Sequence, residues 1–194
     1  MRRRYAAVLI AAALFTGACG TEPEPPTEKV AVQAVVQAEG EHNDTDVMYL
    51  QMMIAHHEQG LQMVRLAAKR AQRSDVRTMA AAVDAVQSDE VTMMKAWLTK
   101  WSAPTTVDHA PDAHADHGGL PATGPNEIAA LRKAKGPAVD TTFLNLFLAH
   151  QHSAVEMAGT ETTGGKNAEV KALAQRIRDS RTDQIKQMLN LLNG

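Results

Sequence analysis

Two segments of this 194-residue chain concentrate side chains able to hold a soft metal ion. The first is Met52-Met53-Ile54-Ala55-His56-His57 followed by Met63, and the second contains His150 and Met157. On an α-helix, side chains four positions apart stand about 5–6 Å from one another at Cβ. Met52 with His56, and Met53 with His57, are therefore two i, i+4 donor pairs. Met63 lies roughly 10 Å further along the axis, so it needs a second ion or a ligand from another helix. Thioether plus imidazole is a soft donor set, suited to Cu(I) and, by the same softness, to Ag(I). The competing reading is packing. Methionine at helical spacing is commonly flexible core filler, and a histidine between helices commonly bonds a carbonyl or an acid.

A second constellation lies in the segment 103–125, where Asp108, His109, Asp112, His114, Asp116 and His117 alternate with proline and glycine. Short tracts rich in histidine and acid bind divalent copper, zinc or nickel. Ordering such a loop costs on the order of 1–2 kcal/mol per residue, which predicts modest affinity at His109, His114 and His117. His42 is a weaker candidate. The composition agrees with a metal role: ten methionines and eight histidines accompany only two tryptophans, two tyrosines and three phenylalanines.

The elements that position these residues follow from an internal repeat. Sliding the chain by 94 positions superimposes 46–100 on 140–194 without a gap, with 10 of 55 positions identical. His56 falls on His150, Met63 on Met157 and Asp46 on Asp140. A repeat of this kind means two copies of one supersecondary unit. Leu50, Met53, Ile54, His57, Leu61 and Val64 fall on one helical stripe, and Leu144, Phe147, Leu148, Gln151, Val155 and Ala158 repeat it. The pattern predicts helices from about Asn43 or Asp44 to Ala71, Asp75 to Trp101, Asp140 to Thr160 and Ala168 to Leu192. Ser74 is a candidate cap for the second, and a short helix is expected over Asn126–Lys135. Two amphipathic hairpins joined by a long connection describe an all-α, four-helix bundle over residues 44–194.

Ahead of the bundle, Arg2-Arg3-Arg4 and the apolar run Ala6–Phe15 read as an export signal over 1–18, too short to span a bilayer. Thr16-Gly17-Ala18-Cys19 resembles a lipobox, with threonine where leucine is usual, and makes Cys19 the expected lipidation site. Residues 19–43, rich in Pro, Glu and Thr, then form a flexible tether from a membrane anchor outside the cytoplasm. With its one cysteine used for lipid, the chain relies on a core rather than a disulfide. Removing three arginines with the signal leaves 17 Lys+Arg against 22 Asp+Glu, which excludes a basic footprint for nucleic acid. No Glu-x-x-His lies within the four main helices, so the carboxylate set of a ferritin-like di-iron enzyme is incomplete. There is no Gly-rich phosphate loop and no serine elbow, and no catalytic residue is assigned.

The doubled segments MIAHHEQGLQM and FLAHQHSAVEM resemble the domain of unknown function 305 family. Its pattern M-I-x-H-H-x-x-A-x-x-M, followed by Q-x-x-E-I-x-x-M, is matched in copy one by Met53, Ile54, His56, His57, Met63, Gln87, Glu90, Val91 and Met94. Copy two keeps His150, Met157, Ile185 and Met188, but places Gln151, Arg181 and Gln184 where copy one has His57, Gln87 and Glu90. The resemblance implies a ferritin-like helical bundle, often exported, with some relatives linked to copper or silver handling. The resulting expectation is a non-enzymatic, lipid-anchored protein that binds copper for sequestration or tolerance. His56, His150, Met52, Met63 and Met157 would be ligands, with His57 and Met53 assisting. The alternatives are an interaction bundle whose His and Met positions are packing and, more remotely, a ferritin-like metalloenzyme.

Overall fold

The structure, a computed structural model, describes residues 38–106 and 124–194. Among these residues there are five helices and no strand: α1 Asp44–Arg70, α2 Ser74–Lys100, α3 Pro125–Lys133, α4 Ala138–Gly164 and α5 Ala168–Asn193. The four long helices are the two copies of the repeat. None of the described helices is long and apolar enough to cross a membrane.

Helices α1 and α2 form one hairpin, α4 and α5 the other, and the two meet along α1 and α4. These central helices run antiparallel. Asn43 Nδ2 donates to Gly164 O at the end of α4, while Gln72 N, just beyond α1, donates to Asp140 at its start. The shared interior is filled by Leu50, Met53, Val64, Met94, Trp97, Phe143, Leu144, Phe147, Leu173 and Ile177, each at most 2% exposed. Each such side chain contributes about 1.5–3 kcal/mol on burial.

The repeat also locks the hairpins to one another. Asp46 is the N3 residue of an Asn43 capping box on α1, and its carboxylate also accepts from Lys166 N and Asn167 N in the α4–α5 turn. Its counterpart Asp140 accepts from Gln72 N and Arg73 N, both at 2.9 Å, in the α1–α2 turn. Offset by 94, these are the same bonds made twice. Carboxylates accepting backbone N–H groups at a helix start also complement the helix dipole.

Three boundaries differ from the sequence reading. Ser74 is the first residue of α2 rather than its cap. The N-cap is Arg73, whose guanidinium has no acceptor and makes no side-chain cap bond. Asp75 in the first turn accepts from Val76 N instead, while Asp140 from α4 holds the preceding Gln72 and Arg73 N–H groups. Helix α4 begins two residues earlier than expected and runs on to Gly164, its last turn packed by the buried Glu161. The end of the assigned tether, residues 38–43, lies on the bundle: Ala38 is 1% exposed, and Trp101 Nε1 donates to its carbonyl. The short helix occurs as expected, pinned by Ile128 and Leu131 and by Arg70, which donates to the carbonyls of Leu131, Arg132 and Ala134.

Candidate functional site

The antiparallel crossing of α1 and α4 brings the two repeat histidines together. The rings of His56 and His150 are parallel within 4° and 3.6 Å apart at their centroids, with Phe147 stacked 5.5 Å beyond His150. Burial pushes both imidazoles down, His56 well below its ordinary value and His150 to about 3. Both are therefore neutral at physiological pH, which lets them stack without repulsion. Neither nitrogen of His56 makes a hydrogen bond among the described residues.

The stack limits how these two rings can share an ion. An imidazole nitrogen binds a metal in the plane of its ring at about 2.0–2.1 Å. The lone pairs of parallel stacked rings point along parallel planes and do not converge. A single ion held by both rings requires one of them to leave the stack. Gly60 constrains that movement: a Cβ there would lie 2.7 Å from His150 Nε2 and 2.8 Å from Gln87 Oε1. The glycine admits the His150 edge and the Gln87 amide against the α1 backbone.

His57 is committed elsewhere. Its Nε2 donates to Glu90 Oε2 at 2.7 Å, and the fully buried Arg181 from α5 also donates to that oxygen. Burial alone would raise the Glu90 carboxyl, but His57 and Arg181 outweigh it and hold the group below its usual range. Burial lowers His57 despite the favourable Glu90 contact. The repeat equivalent of His57–Glu90 is the hydrogen bond from Gln151 to Gln184. His57 is thus part of a buried polar layer, with Met53 packed in the core beside it.

Met63 is also sealed in the core at 0% exposure. Met52 and Met157 behave differently. They line one cleft at the start of α1 and the end of α4 with Thr45, Met48, Tyr49, Thr160 and Glu161. Three methionines therefore line one cleft, and one of them, Met52, lies one helical turn from His56. The internal repeat supplies a control. At the positions equivalent to Thr45, Met48, Tyr49, Met52, Met157, Thr160 and Glu161, the other half of the bundle carries Val139, Thr142, Phe143, Leu146, Met63, Leu66 and Ala67. One half holds donor atoms where the other holds mostly hydrocarbon.

Two of these donors are buried polar groups. Tyr49 Oη has no hydrogen-bond partner among the described residues, and burial, reinforced by Glu161 and Glu90, raises the phenol well above its ordinary value. Glu161 is pushed up to about 8 by burial and by the neighbouring Asp46 carboxylate. Sequence reading did not single out Met48 or Glu161. The available signals were the Met48, Met52, His56 spacing of four, and the contrast of Glu161 with Ala67 in the repeat. Among the described residues, no three His, Cys, Asp or Glu side chains group to hold a metal. His42 is stacked on Trp101 at 4.1 Å. Cys19, His109, His114 and His117 lie outside the described residues.

These features define a duplicated helical-hairpin bundle with a buried imidazole layer and a thioether-lined cleft where the hairpins meet. The chain belongs to the domain of unknown function family DUF305, whose profile matches residues 46–192. Its fold is shared with a DUF305 protein from Streptomyces coelicolor inferred to be secreted, at 24% identity and a TM-score of 0.72 over 77% of this chain and 92% of that one. A DUF305 fragment from Deinococcus radiodurans is 25% identical with a TM-score of 0.69, over 79% and 99% of the two chains. CopM in its Cu(II)-bound form is 24% identical with a TM-score of 0.63, over 76% and 95%. CopM has also been solved with Cu(I), with silver and in the apo form. No curated protein sequence matches the chain.

Proposed function

We propose that this protein is a non-enzymatic, exported binder of a soft monovalent metal ion, Cu(I) foremost, serving sequestration or tolerance. The observation that carries the reading is that Met48, Met52 and Met157 line one cleft, while the equivalent half of the bundle has Thr142, Leu146 and the sealed Met63. Thioethers select Cu(I) and Ag(I) over harder ions. The fold relationship to CopM, solved with copper and silver, supports the same class of ligand. In this reading Met48, Met52 and Met157 are the primary donors, and His56 is the inner imidazole within reach of Met52. His150 stacks on His56 and fixes its plane, while Met53, Met63 and His57 pack and brace the core. His109, His114 and His117 form an accessory site for divalent copper. Cys19 anchors the chain to a membrane, with the bundle outside the cytoplasm, and similarity to an inferred secreted protein supports export.

The packing alternative is favoured at three positions, since Met53 and Met63 lie in the core and His57 is paired with Glu90. The deciding experiment is Cu(I) titration against a competing chelator. It compares the wild-type chain, a Met48→Leu/Met52→Leu/Met157→Leu variant and a His109→Ala/His114→Ala/His117→Ala variant. Leucine conserves volume, at a cost usually below about 1.5 kcal/mol per site, so circular dichroism should show both variants folded. Tight binding that survives loss of the loop histidines and disappears with the thioethers is expected. A folded leucine variant that binds like wild type would refute the cleft.

A further inference from the structure

The fold itself does not require Glu161. It is 0% exposed, its carboxyl oxygens accept no hydrogen bond from a donor among the described residues, and the neighbouring Asp46 carboxylate is a hydrogen-bond partner only while Glu161 keeps its proton. A Cβ at Gly165 would lie only 1.9 Å from Glu161 Oε1, so the turn must carry glycine there to make room for the carboxyl. The equivalent corner of the other hairpin closes with Ala67 and Ala71 in place of Glu161 and Gly165, and both alanines are buried in the core. Likewise Phe143 occupies the position of Tyr49 without its hydroxyl. Both polar groups therefore cost stability at a corner that the same fold builds from hydrocarbon. Leaving a buried acceptor unpaired costs about 1–3 kcal/mol, and more for a charged one. Both residues are among those lining the cleft together with Met48, Met52 and Met157.

The chemistry of that cleft supplies a reason. Thioethers are neutral, so an ion bound by three of them brings a positive charge that its donors do not compensate into a largely apolar space. Burying an unpaired charge costs several kcal/mol, and a nearby charge of opposite sign offsets it. We propose, resting on the thioether-cleft reading above, that Glu161 is the counter-ion of this site, giving up to solvent the proton it holds against Asp46 when the cleft takes a monovalent soft cation. Gly165 is the residue that makes space for it. The same arrangement disfavours soft ligands that carry no positive charge.

The test uses Ag(I), which undergoes no redox change here, together with Cu(I), both titrated against competing chelators. Glu161→Gln keeps the shape and removes the charge. Glu161→Ala/Gly165→Ala rebuilds the corner that Ala67 and Ala71 form in the other hairpin. Both variants are expected to bind at least tenfold more weakly than wild type, while the metal-free proteins melt at the same temperature or higher. A merely structural glutamate predicts the opposite, lowered melting with unchanged affinity in whatever remains folded, and that result would overturn the proposal. Wild-type affinity in either folded variant would also overturn it. The Met48→Leu/Met52→Leu/Met157→Leu protein separates the two claims. If it alone loses the ion, the cleft stands and the counter-ion falls. If it binds normally, the cleft reading has failed first.

Discussion

Two glycines of the central helices should respond to the same substitution with opposite sign. Gly60 in α1 and Gly159 in α4 are both helical, and exchanging glycine for alanine inside a helix is worth about 0.8–1 kcal/mol in propensity. At Gly159 a new Cβ meets nothing within 4 Å, so Gly159→Ala should gain that amount nearly in full. At Gly60 it would lie 2.7 Å from His150 Nε2 and 2.8 Å from Gln87 Oε1, closer than packed atoms tolerate. Gln87 can swing its amide aside. His150 is held between His56 at 3.6 Å and Phe147 at 5.5 Å, so its ring can yield only by disturbing the stack. Forcing a methyl into a well-packed core costs about 1–3 kcal/mol. Subtracting the propensity gain leaves Gly60→Ala destabilised by roughly 0–2 kcal/mol. The two variants should then differ by about 1–3 kcal/mol. Urea denaturation of wild type and both variants, with the m-value checked for constancy, measures this directly. If Gly60→Ala is as stabilising as Gly159→Ala, His150 is not packed against the α1 backbone, and the account of the stack is wrong.

Replacing Arg181 by methionine leaves Glu90 buried with His57 alone, and should cost about 3–5 kcal/mol. The double variant Arg181→Met/Glu90→Gln should recover much of the loss, so a double-mutant cycle in urea should return a coupling of at least about 1 kcal/mol, and simple additivity would refute the pairing. The pH dependence should show a stability maximum near about pH 6.5. The folded pKa values of His56, His57 and His150 are depressed, so their contribution is complete above 6.5 and is lost as pH falls toward the value of about 3 held by His150. Glu161 is raised instead, from 4.5 to about 8, so ionising it lowers stability as pH rises through that interval. Above pH 6.5, where the histidines no longer contribute a slope, Glu161→Gln should abolish the decline, and an unchanged alkaline limb would refute the assignment.

The helices and their pairing were legible because hydrophobic spacing of 3.6 and a repeat of 94 residues are properties of the chain itself. Asp46 and Asp140 were visible as matched residues, but only the folded protein shows each carboxylate capping the turn of the opposite hairpin. These bonds join residues 67 or more positions apart, and no local rule encodes them. Ser74 falls inside the helix for a related reason: Asp140 holds the turn at Gln72 and Arg73, the helix starts one residue earlier, and the neighbouring Asp75 carboxylate takes the Val76 N–H that a Ser74 cap would have served.

The sequence by itself determined the all-helical class, the duplication and the supply of imidazole and thioether donors. Each depends on residue type and spacing alone. Tertiary structure decided which donors meet. The antiparallel crossing of α1 and α4 stacks His56 on His150, and it sends Met63 into the core while its repeat partner Met157 faces a cleft. Identical residues in the two copies acquire different roles because their neighbours come from the other hairpin, and the copies have diverged there. Glu161 fits beneath the α4–α5 turn because Gly165 there has no Cβ to meet its carboxyl.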